Sequence, residues 1–466
     1  MKKHLHNILA VTSSDVVSRL LGFATNAYLA RVLGTSSFGI MSIGLSVLSY
    51  LAMLSSPGVH IQGTRAIATG QENAPHYVSS VNSLRLMLAL GLVFCTIMVV
   101  AVSIDSSIAQ ITTIIFSLSA LPIALSMDWY FQGRENLVVY ATSKVVIALV
   151  YLIMTFLLVH GEMDVVKTSV GFLVANVVAT SWLFYLFMRD GSKLSLVWRP
   201  IEWRRLLRSS LPLGVSSFLA QTIMNLPVLI VGAIGSSHDA GLFNGAMKLI
   251  FAAMLVDRVF YSMFFPVISR LQSTSAVQFR RTAALALKIV LAVAVPIVVV
   301  GGFYAHEIIS VVYGSAFIEA ALPFRYLLLY FLASVVNTVI MCAMIADSRE
   351  REYLRIMATT TAVLILLCII LSFTHGLGGA ALALAVGESF MTVLLYYKER
   401  SMFDSLTTII APSCVAGGIL LSVLLLMNSV PPVLAMSFGT MVFFIALWLL
   451  KGISKEEYVF VRERFV

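Results

Sequence analysis

The sequence predicts an all-α integral membrane protein with about 14 transmembrane helices, arranged as two parallel six-helix repeats around a central cavity plus a C-terminal helix pair. Three observations predict this fold class: the composition, the spacing of the apolar runs and an internal repeat. The 466 residues are 59% hydrophobic and only 11% charged, whereas soluble domains are about 25% charged. This composition excludes a soluble fold.

Apolar runs separated by short polar breaks give the individual helices. A helix needs about 20 apolar residues to cross the hydrocarbon core of a bilayer. Runs of that length predict spans at 8–32, 37–56, 82–103, 107–131, 138–160, 167–188, 207–234, 240–267, 283–305, 322–346, 355–374, 377–397, 407–427 and 431–450.

The charges between these runs predict the orientation. Basic residues concentrate in alternate loops, and the largest cluster lies in 189–208: Arg189, Lys193, Arg199, Arg204, Arg205 and Arg208. The opposite loops are short and carry mainly acidic residues and histidines. Cytoplasmic loops of membrane proteins are enriched in lysine and arginine. Both termini are therefore predicted to be cytoplasmic, and segment 189–208 is expected to contact anionic lipid head groups.

An internal repeat predicts two homologous halves. Segment 127–161 resembles segment 341–376 at an offset near 215, which aligns Arg134-Glu135 with Arg349-Glu350. Segment 29–42 similarly matches 229–244. The predicted domains are a six-helix lobe at 1–195, a second at 196–400, and a helix pair with a cytoplasmic tail at 401–466. Six spans per half make the repeats parallel, as in one class of transporters.

The first predicted helix carries a polar stripe. Asp15, Arg19, Gly22 and Asn26 follow one another at helical spacing and share one face. Charged groups at membrane depth are costly and usually face a partner or a water-filled path. Two hypotheses follow: the stripe binds a polar substrate, or the Asp15–Arg19 pair only helps helices pack. Gly34 and Gly39, which follow, are expected to shape a tight external turn.

Other polar side chains in the spans complete a predicted substrate site. Its further members are Gln221 and Asn225 in the counterpart of the first helix, Lys248 and Arg258 in the eighth, and Lys144 in the fifth. Cations outnumber anions in this set, and arginine pairs with phosphate through two parallel hydrogen bonds. Alternatively, Lys144 extends to the membrane surface and Arg258 pairs with Asp257.

Glu388 and Asp128 are two carboxylates within or at the end of predicted spans. Each is either a coupling group that binds an ion or proton, or a partner of the cations. The sequence shows no metal-ligand spacing, nucleotide-binding loop or hydrolase triad. We therefore predict no catalytic residue, no metal and no cofactor. The basic residues form no tract interleaved with aromatic residues, so no nucleic-acid partner is predicted either.

Three stretches resemble a known family: ARVLGTSSFG (30–39), SSPGVHIQGTRAIA (55–68) and FQGREN (131–136). They are similar to the polysaccharide-biosynthesis flippases for O-antigen and exopolysaccharide, within the multidrug/oligosaccharidyl-lipid/polysaccharide exporter superfamily. The resemblance implies a bacterial inner-membrane protein that moves an undecaprenyl-diphosphate-linked oligosaccharide to the outer leaflet by alternating access. It also implies an ion gradient or membrane potential as the energy source, and a polysaccharide polymerase complex as a partner.

Alternative functions remain open at this stage. SRLLGF (18–23) is similar to the lipid II flippases of the same superfamily, but Thr25-Asn26 stands where that branch has a charged pair. A drug/cation antiporter would need an acidic cavity. A membrane glycosyltransferase would need a large external loop, which the predicted topology lacks. A non-transporting scaffold of a polysaccharide assembly complex is the fourth alternative.

Overall fold

The computed structural model describes residues 2–70, 74–191, 194–272, 275–400 and 406–452, and in these ranges it contains helices and no strand. The helices are α1 (Lys2–Leu54), α2 (Val59–Ala68), α3 (Ala74–Ser103), α4 (Ser107–Leu118), α5 (Ala120–Leu125), α6 (Asp128–Gly133), α7 (Leu137–Leu158), α8 (Val165–Arg189), α9 (Pro200–Ile234), α10 (Ser237–Ala253), α11 (Leu255–Gln272), α12 (Ala276–Phe303), α13 (Ala305–Tyr313), α14 (Ala321–Ala346), α15 (Glu350–Glu399), α16 (Leu406–Leu426) and α17 (Pro432–Leu449). The predicted tail after Gly452 and Lys193 lie outside the described residues.

The helices account for the predicted number of spans. Twelve helical segments in the described part of the chain are long and apolar enough to cross a membrane. Two of them contain a non-helical glycine, Gly34 in α1 (φ 68°, ψ 178°) and Gly376 in α15 (φ 56°, ψ −138°). At Gly376 the chain folds back on itself. The close approach of the two sides shows this: a Cβ on Gly379 would lie only 1.8 Å from the Leu371 carbonyl oxygen. Counting α1 and α15 as two spans each raises twelve to fourteen, which confirms the predicted fold class.

Two predicted spans are interrupted. The span expected at 107–131 consists of α4, α5 and α6, with breaks at Ser119 and at 126–127. The span expected at 240–267 consists of α10 and α11, which are separated at Met254. Arg85 stabilises the first interruption: its guanidinium donates to the carbonyl oxygens of Ile123 (3.0 Å) and Ser126 (3.1 Å) at the end of α5. Unpaired carbonyl groups are costly inside a membrane, so a buried arginine is well suited to this position.

The chain divides into two compact units, residues 1–244 and 245–466. In the first unit α1 packs against α4, α7 and α9. A buried aromatic cluster joins α2, α3, α6, α8 and α9, and its aromatic members are Tyr77, Trp129, Tyr130, Phe131, Phe187 and Trp203. The domain limits 1–195, 196–400 and 401–466 come from the sequence repeat and stay a prediction.

Trp129 is the side chain whose removal should most destabilise the first unit. It is 1% exposed, its indole donates to Asn82 Oδ1 (3.3 Å), and Gly63 leaves room for its ring. Truncating a buried tryptophan costs about 3–5 kcal/mol. We expect Trp129→Ala to lower the thermal unfolding temperature of the purified protein markedly. Trp448→Ala is the control, because Trp448 is 70% exposed; equal shifts in both variants would contradict the prediction.

In the second unit α14 is the central helix. It packs against α11, α12, α13 and α15, and α16 packs against α12 and α17. More than half of α14 is buried, including Asn337 (4% exposed) among its apolar residues. A buried amide in an apolar helix needs a hydrogen-bond partner, and its partner is a carboxylate described below.

The structure supports the repeat and corrects its alignment. Two turns share the same capping hydrogen bonds: Asn136 N–H donates to Phe131 O, and Arg349 N–H donates to Met344 O, both at 2.9 Å. The preceding residues, Glu135 (φ 56°) and Ser348 (φ 58°), are both left-handed, as the residue after a helix often is. The turns therefore correspond at an offset of 213, not 215.

Two glycines from matching segments make a close contact in the first unit. A Cβ on Gly39 would lie 1.6 Å from the Ser237 carbonyl oxygen, and one on Gly241 would lie 2.0 Å from the Thr35 carbonyl oxygen. Gly34 shapes the turn in α1, as expected, but Gly39 is helical. The role of Gly39 is to let the backbones of α1 and α10 touch.

Candidate functional site

The polar stripe on α1 contains a partly exposed ion pair near the start of the first candidate membrane span. Arg19 Nε donates to Asp15 Oδ2 at 3.0 Å, and the two side chains are 38% and 25% exposed. One turn further, a Cβ on Gly22 would meet no atom within 4 Å. Asn26 donates to the Gly22 carbonyl oxygen (2.7 Å), so its amide lies along the same face. The stripe thus borders open space and keeps part of the guanidinium accessible.

The matching helix α9 carries an uncharged polar pair. Asn225 Nδ2 donates to Gln221 Oε1 (3.0 Å) and to the Gln221 carbonyl oxygen (3.2 Å). Both side chains are half-buried. Pro212 and Pro227 lie inside the same helix, and each removes one backbone hydrogen bond. The amides of Gln221 and Asn225 are suited to bind hydroxyl groups, because they offer both donors and acceptors.

Lys144 and Asp128 also belong to the first unit. Lys144 Nζ lies 4.6 Å from the centre of the Tyr140 ring, one turn earlier on α7. Asp128 Oδ1 accepts from Ser126 Oγ (3.2 Å) at the start of α6. Each of the two side chains therefore has a neighbour close to it in the sequence.

Two further predicted site cations belong to the second unit. Lys248 Nζ lies 5.9 Å from the centre of the Phe251 ring and is half-buried on α10. Arg258 is exposed on α11, next to Asp257. Asp257 accepts a hydrogen bond from Thr338 Oγ1 of α14 at 3.1 Å.

Glu388 lies in a buried polar cluster that links three helices of the second unit. Asn337 Nδ2 donates to Glu388 Oε1 at 2.9 Å, and the neighbouring Thr338 donates to Asp257. Adjacent residues of α14 thus bring together a carboxylate of α15 and one of α11. Among the described residues, Asn337 Oδ1 and Asp257 Oδ1 are buried without a hydrogen-bond partner. Buried acceptors of this kind cost free energy unless a hydrogen-bond donor, a proton or a cation satisfies them.

The sequence did not reveal this cluster. The sequence predicts for Asp257 only a pairing with Arg258, and it predicts no partner for Asn337. A polar residue inside the apolar run 321–346 was the available signal, but its partner depends on tertiary packing. No group of three or more metal-ligating side chains occurs in the part of the chain that the structure describes.

Comparison with known proteins identifies the family. The family model described as polysaccharide biosynthesis protein matches residues 4–272, more than half of the sequence. The chain belongs to the polysaccharide biosynthesis protein family. This membership confirms the resemblance seen in the sequence.

Curated relatives cover most of the chain. It is 23% identical over 411 residues to a putative O-antigen transporter of Escherichia coli K12. The matched region covers 85% of this chain and 96% of that protein. It is also 23% identical over 434 residues to stage V sporulation protein B of Bacillus subtilis 168, covering 84% and 82% of the two chains.

Solved structures of transporters share the fold. The lipid II flippase MurJ in an inward closed conformation superposes with a TM-score of 0.73 at 15% identity, covering 98% of this chain and 99% of that one. A multidrug resistance MATE family transporter in an inward-facing conformation gives a TM-score of 0.67 at 15% identity, with coverages of 83% and 94%. This member of the polysaccharide biosynthesis protein family is therefore a multi-pass protein of a bacterial inner membrane with the fold of flippases and exporters.

Proposed function

We propose that the chain is a flippase that moves an undecaprenyl-diphosphate-linked oligosaccharide from the cytoplasmic to the outer leaflet by alternating access. The accessible Asp15–Arg19 pair in a membrane-spanning helix carries this proposal. A charged pair exposed to lipid would cost several kcal/mol, so its open side is suited to a polar ligand. The family and fold support transport, and the cation supports a phosphate-bearing substrate.

In the proposed site, different kinds of side chain bind different parts of the substrate. Arg19, Lys248, Arg258 and Lys144 would neutralise the diphosphate, while Asn26, Gln221 and Asn225 would bind sugar hydroxyls; Asp15 would orient Arg19. The lipid tail would stay in the bilayer throughout, so its apolar surface would not be exposed to water. The orientation with both termini in the cytoplasm belongs to this proposal, as does contact with a polysaccharide polymerase complex.

Reconstitution tests the proposed function directly. The purified protein is placed in vesicles that carry a lipid-linked oligosaccharide, and a lectin added outside reports the sugar that reaches the outer leaflet. We expect lectin binding to rise only in vesicles that contain the protein, and to rise further when an ion gradient or membrane potential is applied. Transport of lipid II but not of a lipid-linked oligosaccharide would assign the first alternative. Export of a cationic drug alone would assign the second, and absence of any transport would favour a scaffold.

Glu388 is the proposed coupling group, because it lies in the buried polar cluster with unsatisfied acceptors. A coupling ion must bind one conformation better than another to drive the cycle. We expect Glu388→Gln to reduce gradient-driven transport about tenfold or more, since one charge-assisted interaction contributes about 1.5–3 kcal/mol. Exchange of substrate between leaflets without a gradient should persist. Glutamine keeps an oxygen for the Asn337 hydrogen bond, so folding should be retained.

Glu350→Gln is the matched control for Glu388→Gln. Glu350 is exposed in the first turn of α15, in the span before Gly376, whereas Glu388 lies in the span after it. Its replacement should leave both gradient-driven transport and exchange unchanged. If Glu388→Gln retains the full response to the gradient, the coupling role is wrong, while the flippase proposal stands.

A further inference from the structure

A polar cavity of ≈530 Å³ opens between α2, α3 and α9 in the first unit. Its size falls within the range of small-ligand sites, about 300–1,000 Å³. The residues that matter for its chemistry are Gln62, Arg65, Tyr77, Ser80, Glu202 and Arg205. None of them belongs to the substrate site proposed above.

The cavity has an excess of positive charge. Glu202 is its one carboxylate, and both of its oxygens already have partners: Arg199 Nη1 at 2.7 Å and Ser80 Oγ at 3.0 Å. Arg65 of α2 and Arg205 of α9 have no ion-pair partner among the described residues. Both arginines are exposed at the cavity, and a bound anion would neutralise the positive charge that they bring to it.

The available donors suit a phosphate group. Guanidinium groups bind phosphate oxygens through paired hydrogen bonds and never lose their charge. Arg65 and Arg205 approach from different helices, so one phosphate could accept from both. The Gln62 side chain adds an amide donor to the same wall.

The surroundings of the cavity favour a lipid as the source of the phosphate. Exposed apolar side chains precede and begin α9: Leu196 (70% exposed), Trp198 (70%) and Ile201 (87%). Tryptophan is enriched at the interface between membrane and water, and the ring of Trp198 is exposed. In the proposed orientation this end of the unit lies on the cytoplasmic side, where basic pockets between membrane helices bind anionic head groups.

We propose that this cavity binds the phosphate head group of an anionic phospholipid of the cytoplasmic leaflet. The bound head group would bridge Arg65 and Arg205 and so hold α2 and α9 together. The inference goes beyond the proposed transport function, because it concerns a structural lipid and not the transported one.

A binding experiment on the full-length protein tests the inference. The purified protein is titrated in detergent with phosphatidylglycerol, phosphatidylcholine or inorganic phosphate, and binding is followed by native mass spectrometry and thermal shift. We expect phosphatidylglycerol to bind and to raise the unfolding temperature. Arg65→Gln and Arg205→Gln should each weaken its binding about tenfold or more, which corresponds to the loss of one charge-assisted hydrogen bond.

Arg204→Gln is the matched control, because Arg204 is exposed beside Arg205 but does not line the cavity. It should retain phosphatidylglycerol binding. Equal weakening in Arg204→Gln, or equal affinity for phosphatidylcholine, would overturn the inference. Saturation by inorganic phosphate at the same concentration would assign a soluble anion and overturn the lipid. Binding of a polyprenyl diphosphate with none of phosphatidylglycerol would overturn it too, by placing the cavity on the substrate path. Because the readout is lipid binding, failure of the transport assay leaves this result unaffected.

Discussion

Arg19→Ala is expected to abolish translocation of the lipid-linked oligosaccharide while the protein still inserts in the membrane. Arg19 presents a partly accessible guanidinium, held by Asp15 Oδ2 at 3.0 Å. Two charge-assisted hydrogen bonds to a diphosphate are together worth about 3–6 kcal/mol. The transport rate should therefore fall about 100-fold or more. The lectin assay in reconstituted vesicles measures this loss.

Two further variants separate binding from packing at this position. Arg19→Lys keeps the charge but loses the planar fork, so we expect an intermediate rate. In the double variant Asp15→Asn with Arg19→Ala, no unpaired carboxylate remains. If the ion pair serves only packing, this double variant should recover transport; if Arg19 binds phosphate, transport should stay abolished.

Lys167→Ala is the control for the loss of a cation. Lys167 Nζ pairs with Asp164 Oδ1 at 2.6 Å near the start of α8, and its side chain is 54% exposed. Exposed ion pairs contribute little, about 0–1 kcal/mol, so transport should be unchanged. Normal transport in Arg19→Ala would contradict the cationic-site hypothesis. Lys248→Ala should behave like Arg19→Ala, because Lys248 is predicted to contact the same diphosphate.

The sequence predicts the helical spans well because each signal is local. A bilayer requires about 20 apolar residues per span, and that requirement is visible without tertiary contacts. The breaks at Gly34 and Gly376 fall where the predicted spans are separated. The interruptions at Ser119 and Met254 were not predicted, because hydrophobicity continues through them.

The repeat shows where side-chain identity misleads. Aligning Arg134-Glu135 with Arg349-Glu350 maximises the match of letters, yet the backbone equates Glu135 with Ser348. The turn depends on backbone hydrogen bonds and on one residue with a left-handed backbone conformation. Residues with different side chains can adopt that conformation at some cost. From these turns to the following glycines, Gly161 and Gly376, the second copy is two residues longer.

The polar cluster around Glu388 could not be predicted for a different reason. Its three helices, α11, α14 and α15, are far apart in the sequence, and the contacts depend on how α14 packs. Helical periodicity identifies polar residues on one helix, as it does for Asp15, Arg19 and Asn26. It cannot show which residue of another helix will face them. The ion pair of α1 was predictable because both members lie on one helix face, one turn apart.

Gly39→Val is expected to prevent closure of the contact between α1 and α10. A Cβ at this position would overlap the Ser237 carbonyl group, and backbone atoms cannot rotate away as a side chain can. The contact is also tied by Thr35 Oγ1 to His238 Nδ1 (2.7 Å) and by Asn244 Nδ2 to Ser42 Oγ (2.6 Å). Thr35 and Ser42 lie on either side of Gly39 on α1, and their partners lie on either side of Gly241 on α10. Separating the two backbones should therefore break both hydrogen bonds.

Accessibility of position 42 measures this opening. Ser42 is 2% exposed, so a cysteine placed there, in a background without the four native cysteines, should resist a membrane-impermeant maleimide. In the proposed orientation the opened contact of Gly39→Val lies on the outer side. We expect labelling from outside to rise about tenfold or more, because breaking two hydrogen bonds shifts the equilibrium by about 1–3 kcal/mol. Transport should fall in parallel, since alternating access requires each end to close in turn.

Gly91→Val is the control, because a Cβ on Gly91 meets no atom within 4 Å. Equal labelling in the two variants would mean that α1 and α10 accommodate the added methyl groups without separating, and the glycine contact would then have no part in gating.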